Sequence, residues 1–152
     1  MGAREGITEA AAGYDLERFV EAQNGIYERA LAELQSGHKQ SHWMWFIFPQ
    51  IAGLGQSDMA RRYAIATLDE AKAYLDHPVL GERLERCAAA LLPWGNRSAR
   101  QIMGSPDDMK LRSSMTLFAL ASPQRDVFQQ VLDQFFGGDY DPMTLSIRSE
   151  GM

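Results

Sequence analysis

Apolar residues recur every three or four positions from Leu16 to Leu34: Leu16, Phe19, Val20, Ala22, Ile26, Tyr27, Ala30, Leu31 and Leu34. That spacing lines one face of a helix. Asp15 stands where an N-cap belongs, and Ser36-Gly37 supplies a C-terminal stop. The pattern predicts one amphipathic helix across this stretch. The next run, Trp43 to Phe48, is apolar on every side, so its period does not separate helix from strand. Pro49 ends it in either case.

Further along, capping residues and prolines mark the boundaries. Ser57 predicts a helix from Asp58 through Met59-Ala-Arg-Arg-Tyr-Ala-Ile65. Thr67 or Leu68 starts another through Leu75, broken at His77-Pro78. Pro78 fits the first turn of a helix carrying Val79, Leu80, Leu84, Cys87, Ala88, Leu91 and Leu92. Ser98 caps a short helix stopped by Gly104. Ser105 is read as an N-cap with Pro106 as first helical residue, and Asp107 and Asp108 as first-turn acids suited to the helix dipole. This helix runs to about Ala121 and is apolar nearly all round past Met115, which predicts a central position. Ser122-Pro123 repeats the cap signal before a stripe of Val127, Phe128, Val131, Leu132, Phe135 and Phe136, ended by Gly137-Gly138. Asp141-Pro142 opens a last short turn of helix.

No alternating strand of convincing length intervenes. The predicted fold is all-α, a single compact domain of about seven or eight short helices. Proline interrupts the chain too often for the long rods of a four-helix bundle. Residues 1–13 are read as a flexible tail, 14–147 as the domain and 148–152 as a C-terminal tail.

Composition fits that picture. The chain has 152 residues, 45% of them hydrophobic and 23% charged, as in a globular domain of ordinary size. A net charge of -5 disfavours general nucleic-acid binding, which needs a basic face. Cys87 is the one cysteine, so no intrachain disulfide forms; on its helix face it reads as a small buried hydrophobe, with a nucleophilic or redox role the lesser alternative. No apolar run approaches the roughly 20 residues of a membrane span. The N-terminal stretch lacks a signal-peptide core, and Gly6 occupies the place where a myristoylation signal after Gly2 needs Ser or Thr. The expected compartment is the cytoplasm.

Candidate chemistry gathers in two segments, 41–63 and 105–116. In the first, Trp43 and Trp45 offer faces that could stack a base or sugar. His42 is a candidate general acid or base, with a structural hydrogen-bonding role as the bland alternative. Gly53 and Gly55 precede a helix, where backbone amides can cradle an anion, although the spacing matches neither a P-loop nor a dinucleotide fingerprint. Of Arg61 and Arg62, adjacent on a helix, at most one faces that loop, and Arg62 is assigned the orienting role. In the second segment Asp107, Lys110 and Ser114 share one flank of the helix, and Asp108, Arg112 and Thr116 another. Lys110 is the candidate nucleophile or anion contact and Ser114 an orienting group. Caps and surface ion pairs are the plain alternative for this helix. His38 and His42 lack a third ligand at metal-site spacing, so neither a metal nor a cofactor is expected.

Ser41-His-Trp-Met-Trp-Phe-Ile-Phe-Pro-Gln-Ile-Ala-Gly-Leu-Gly55, Met59-Ala-Arg-Arg-Tyr-Ala-Ile65, His77-Pro-Val-Leu-Gly-Glu-Arg-Leu84 and Gly104-Ser-Pro-Asp-Asp-Met-Lys-Leu-Arg-Ser-Ser-Met-Thr-Leu-Phe118 together resemble the bacterial and plant family filed as domain of unknown function 1810, whose members are sometimes labelled calpastatin. The resemblance spans about residues 14 to 146 and implies a mostly helical fold, with no established activity, substrate or cofactor. The order of elements is also similar to the helical domain that removes ADP-ribose from guanine bases, in which a lysine attacks the ribose; Lys110 is the position that maps. Two readings follow. One is a pocket between the two segments for a small nucleotide-like ligand of the ADP-ribose type, with or without catalysis. The other is a non-catalytic interaction module whose aromatic segment is core or partner-facing patch.

Overall fold

A computed structural model describes the backbone of residues 13–151 and the side chains of residues 13–147. Among these residues the chain forms ten helices: α1 (Glu17–Gln23), α2 (Tyr27–Gln35), α3 (Met44–Ile47), α4 (Asp58–Arg62), α5 (Leu68–Asp76), α6 (Leu80–Ala89), α7 (Ala99–Met103), α8 (Asp107–Ala121), α9 (Asp126–Phe136) and α10 (Pro142–Gly151). The chain is all-α. The expected N-terminal tail lies outside the described residues except for Gly13.

α8 is the central rod. It packs against α5, α7, α9 and α10, and its residues from Ser113 to Ala119 are all buried. Its apolar circumference leaves no solvent face for this stretch, as expected of an interior helix. Aromatic rings then tie the layers together. Phe118 lies 5.8 Å from Phe128 of α9 and 5.4 Å from Tyr74 of α5. Tyr74 meets Phe19 of α1 edge-on at 5.1 Å, Phe19 meets Tyr63 at 5.8 Å, and Tyr63 meets Phe46 of α3 at 5.4 Å. Edge-to-face and tilted pairs at these spacings add to the gain from burial alone. One line of rings therefore connects the core to the segment after α4. Gln23, itself buried, donates to the Phe46 carbonyl at 2.7 Å and to the Tyr74 hydroxyl at 3.1 Å, so the C-terminal end of α3 is held from inside the core.

Ser57, Thr67 and Ser98 accept backbone hydrogen bonds as N-caps of α4, α5 and α7, the last as a full capping box with Gln101. His77 keeps the turn role its sequence position suggests, its Nδ1 accepting from the Val79 and Leu80 amides. Several expectations need correction. Asp15 does not cap α1, whose N-cap is Leu16 without a side-chain cap bond. The first helix is two, because Gly25 adopts φ +75°, a left-handed conformation open to glycine. Ser105 does not cap α8: the Ser105–Pro106 peptide is cis, the helix starts at Asp107, and the Asp108 amide is taken by the Gly104 carbonyl at 2.9 Å. Ser122 does not cap α9; it closes a turn, receiving the Arg125 amide on its carbonyl at 3.0 Å and the Arg125 guanidinium on its hydroxyl at 2.9 Å. The final helix continues to Gly151 rather than stopping after one turn.

Candidate functional site

The aromatic run forms a four-residue helix with one outlier. From Trp43 to Pro49 every residue is buried except Trp45, which is partly exposed. After Pro49 the chain leaves the core and comes back. Ile51 and Ile65 form an isolated parallel bridge, with the Ile65 amide donating to the Gln50 carbonyl at 2.9 Å and the Ala52 amide to the Ile65 carbonyl at 2.8 Å. The excursion between them contains the glycine turn and α4. A Cβ on Gly55 would overlap the Ala60 Cβ, so the turn closes against α4 only because this position lacks a side chain.

That closure leaves a partly enclosed cleft of about 160 Å³. Trp45 and Tyr63 line it together with Gln50 to Gly53, Gly55, Ala60, Arg61 and Ala64. The start of α8 also approaches Trp45. The Lys110 ammonium stands 5.9 Å from the Trp45 ring centre and 3.6 Å from Asp107 Oδ1. Asp107 Oδ2 receives Lys39 Nζ at 2.8 Å. The Lys39 side chain is only 7% exposed; its ammonium also donates to the Ser41 carbonyl at 2.7 Å and lies 4.8 Å from the Trp43 ring centre. The two segments therefore meet through a chain of charges from Lys39 through Asp107 to Lys110, ending on Trp45.

The individual candidates separate clearly. Trp45, Gly53 and Gly55 line the cleft, and Lys110 reaches the ring that borders it. Trp43 is 0% exposed, so it has no free face to stack on a ligand; it is a core residue. Arg62 is not among the lining residues, and Arg61 is. The Arg62 guanidinium instead lies 5.5 Å from the Tyr63 ring centre. His42 is exposed and absent from the cleft lining. Ser114 is 0% exposed inside the core, so it does not border the cleft either. The second flank of α8 fastens α10 instead. Arg112 donates to the Asp139 and Tyr140 carbonyls, and Ser113 and Thr116 bond Asp141 at the start of α10.

Two bracing residues carry no local sequence signal, one fixing the segment that leads into α3 and the other a wall of the cleft. Glu33 of α2 is one. Its carboxylate accepts from the Gln40 and Ser41 amides at 2.8 and 3.1 Å, from the Ser41 hydroxyl at 2.6 Å and from Trp43 Nε1 at 2.8 Å. Burial alone would raise this carboxyl, but the hydrogen bonds from Ser41, Gln40 and Trp43 outweigh it and hold the group at about 2, against an ordinary 4.5. Because the folded value is the lower one, the stabilisation is complete above about 4.5 and is lost as pH falls through about 2. Glu33→Gln is accordingly expected to be less stable than the parent at neutral pH, with the gap shrinking between these two values. Urea midpoints measured from pH 7 downwards check this; a gap that stays constant with pH contradicts it. Arg18 is the other brace. It donates to the Arg62 carbonyl at 2.8 Å, to the Ala64 carbonyl at 2.7 Å and to Glu70 Oε2 at 3.2 Å, and also to the Asp15 carbonyl.

Cys87 is fully buried, and burial pushes its thiol up to about 12, which makes it an inert packing residue. Among the described residues, no group of three or more His, Cys, Asp or Glu side chains is placed to hold a metal ion. No helix among them is long and apolar enough to cross a membrane.

The family model described as protein of unknown function (DUF1810) matches residues 13–147. The chain belongs to this family. A crystal structure of the conserved hypothetical protein Rv1873 from Mycobacterium tuberculosis superposes with a TM-score of 0.88 at 46% identity, covering 90% of this chain and 97% of that one. None of the functionally curated proteins matches. Membership of DUF1810 thus accounts for the whole fold and carries no activity with it.

Proposed function

We propose that this chain binds a small nucleotide-like ligand of the ADP-ribose type in the Trp45 cleft. The observation that supports this reading is the placement of Trp45. It is the one part-exposed ring in an otherwise buried aromatic run, it lines a concavity, and its ring also neighbours a lysine ammonium. A flat ring beside the Trp45 indole, with Lys110 as a contact for anionic groups, uses all three features. Lys110 is already paired with Asp107, so its role in this reading is electrostatic. His42, outside the cleft lining, has none.

The alternative, an interaction module, would draw on exposed apolar surface. Among the described residues the exposed large hydrophobics are Met109 and Met143, and two methionines offer little apolar surface for a partner. The cleft is the better supported choice.

Thermal denaturation with millimolar ADP-ribose tests the proposal. Ligand that binds only the folded chain must raise the midpoint; at a hundredfold excess over Kd the gain is about 2.7 kcal/mol. Trp45→Ala is expected to weaken binding roughly tenfold or more, the order lost when an aromatic stacking partner is removed. An unchanged midpoint, or equal affinity in Trp45→Ala, removes the case.

A further inference from the structure

Resting on that reading, we infer that the cleft seats one ring unit of its ligand, a base or a ribose, beside a single phosphate arm, with Arg61 as the anion anchor. Size limits the occupant first. A volume of about 160 Å³ is close to the roughly 150 Å³ of a cavity that accommodates benzene. It is well below the roughly 300–1,000 Å³ of clefts that enclose drug-sized ligands. The volume has room for about one ring; the second half of a dinucleotide would lie outside.

Charge limits it second. No Asp or Glu is among the lining residues, and Arg61 is the lining residue with a full charge. Arg61 is exposed; deeper cations already have partners, Arg18 in Glu70, Lys39 and Lys110 in Asp107, Arg125 in Asp76 and Glu85, while half-buried Arg83 donates to Gln23 and Arg112 to the Asp139 and Tyr140 carbonyls. Among the described residues Arg61 pairs with no carboxylate; its side-chain contact is Gln56 Oε1 at 3.5 Å. A guanidinium without a counter-charge at the edge of a concavity suits a phosphate or carboxylate, which it can bind through two parallel N–H donors. Lys110 shares its charge with Asp107 and contributes less. The neighbouring Arg62 has the same side chain outside the cleft, which makes it an internal control.

Isothermal titration of the full chain with adenosine, adenosine 5′-monophosphate, ribose 5-phosphate, ADP-ribose and inorganic phosphate tests this. The monophosphate is expected to bind at least about tenfold more tightly than adenosine, the order of one charge-assisted hydrogen bond. ADP-ribose should gain little over the better of the two monophosphates, since only one half is seated. Arg61→Gln should abolish the preference for phosphate and leave adenosine binding unchanged, whereas Arg62→Gln should alter neither. Raising salt should weaken the phosphorylated ligands selectively. If adenosine binds as well as its monophosphate while Trp45→Ala still lowers affinity, the ligand cleft stands and the anion anchor is wrong. Inorganic phosphate binding as tightly as the monophosphate would overturn the ring-plus-anion assignment. If none of the five binds, both the anchor and the ligand reading fall.

Discussion

Trp43→Ala is expected to destabilise the chain by about 3–5 kcal/mol, the range for truncating a buried large aromatic, whereas Trp45→Ala should fold normally. The two tryptophans are separated by one residue, and α3 places them in opposite settings. Trp43 is enclosed, its ring 6.2 Å from Phe48 and its indole N–H committed to Glu33. Its removal opens a cavity and strips one donor from a carboxylate held at about 2 by such bonds. With total stabilities of about 5–15 kcal/mol, the variant should be largely unfolded near physiological temperature or show a strongly lowered urea midpoint. Trp45 has a partly exposed ring and loses less on truncation. Urea denaturation of both variants decides the matter: comparable losses would mean that Trp45 belongs to the core and is no free wall. The same pair separates stability from ligand affinity, because only Trp45→Ala leaves a folded chain in which binding can be measured.

This contrast marks the boundary of what the sequence could reveal. Element ends were legible where the signal is local: Ser57, Thr67 and Ser98 cap the helices that follow them, and the all-apolar end of α8 is the interior rod. The caps at Ser105 and Ser122 failed because a backbone carbonyl and a guanidinium satisfied the groups in question by another route. The segments 41–63 and 105–116 meet at Trp45 and Lys110, but the expected pocket between them is not formed, since no residue of 105–116 lines the cleft. The sequence did not distinguish Trp45 from Trp43, because an apolar run without period gives no facing direction. Arg62 was favoured over Arg61 because adjacent helix positions differ in facing by about 100°, and the sequence does not say which of the two faces the loop. Glu33 and Arg18 carried no local signature at all. Their partners lie up to ten residues away for Glu33 and up to 52 away for Arg18, and long-range hydrogen bonds leave no periodic trace in sequence.

The long-range brace with the larger expected effect is the Arg18–Glu70 pair. The Glu70 side chain is 4% exposed and that of Arg18 17%, so neither charge is well hydrated. Glu70 Oε1 also accepts the Ala66 amide at 2.8 Å, and Arg18 fixes the carbonyls of Arg62 and Ala64 on either side of Tyr63. Tyr63 and Ala64 both line the cleft, so this pair sets the position of one cleft wall relative to α1 and α5. Glu70→Ala leaves the Arg18 charge without its carboxylate and the Ala66 amide without its acceptor. Breaking a buried pair in this way costs about 3–5 kcal/mol. Replacing both partners, as in Arg18→Met with Glu70→Leu, should cost clearly less than the sum of the single changes, because no uncompensated charge remains. The double variant still lacks the two carbonyl contacts, so it should recover stability more fully than affinity for any ligand of the Trp45 cleft. Denaturant titration of the four species of the cycle measures the first half, and calorimetry of the folded double variant the second. Simple additivity of the two single changes would show that the pair is no unit, and full recovery of affinity would show that Arg18 does not position the cleft wall.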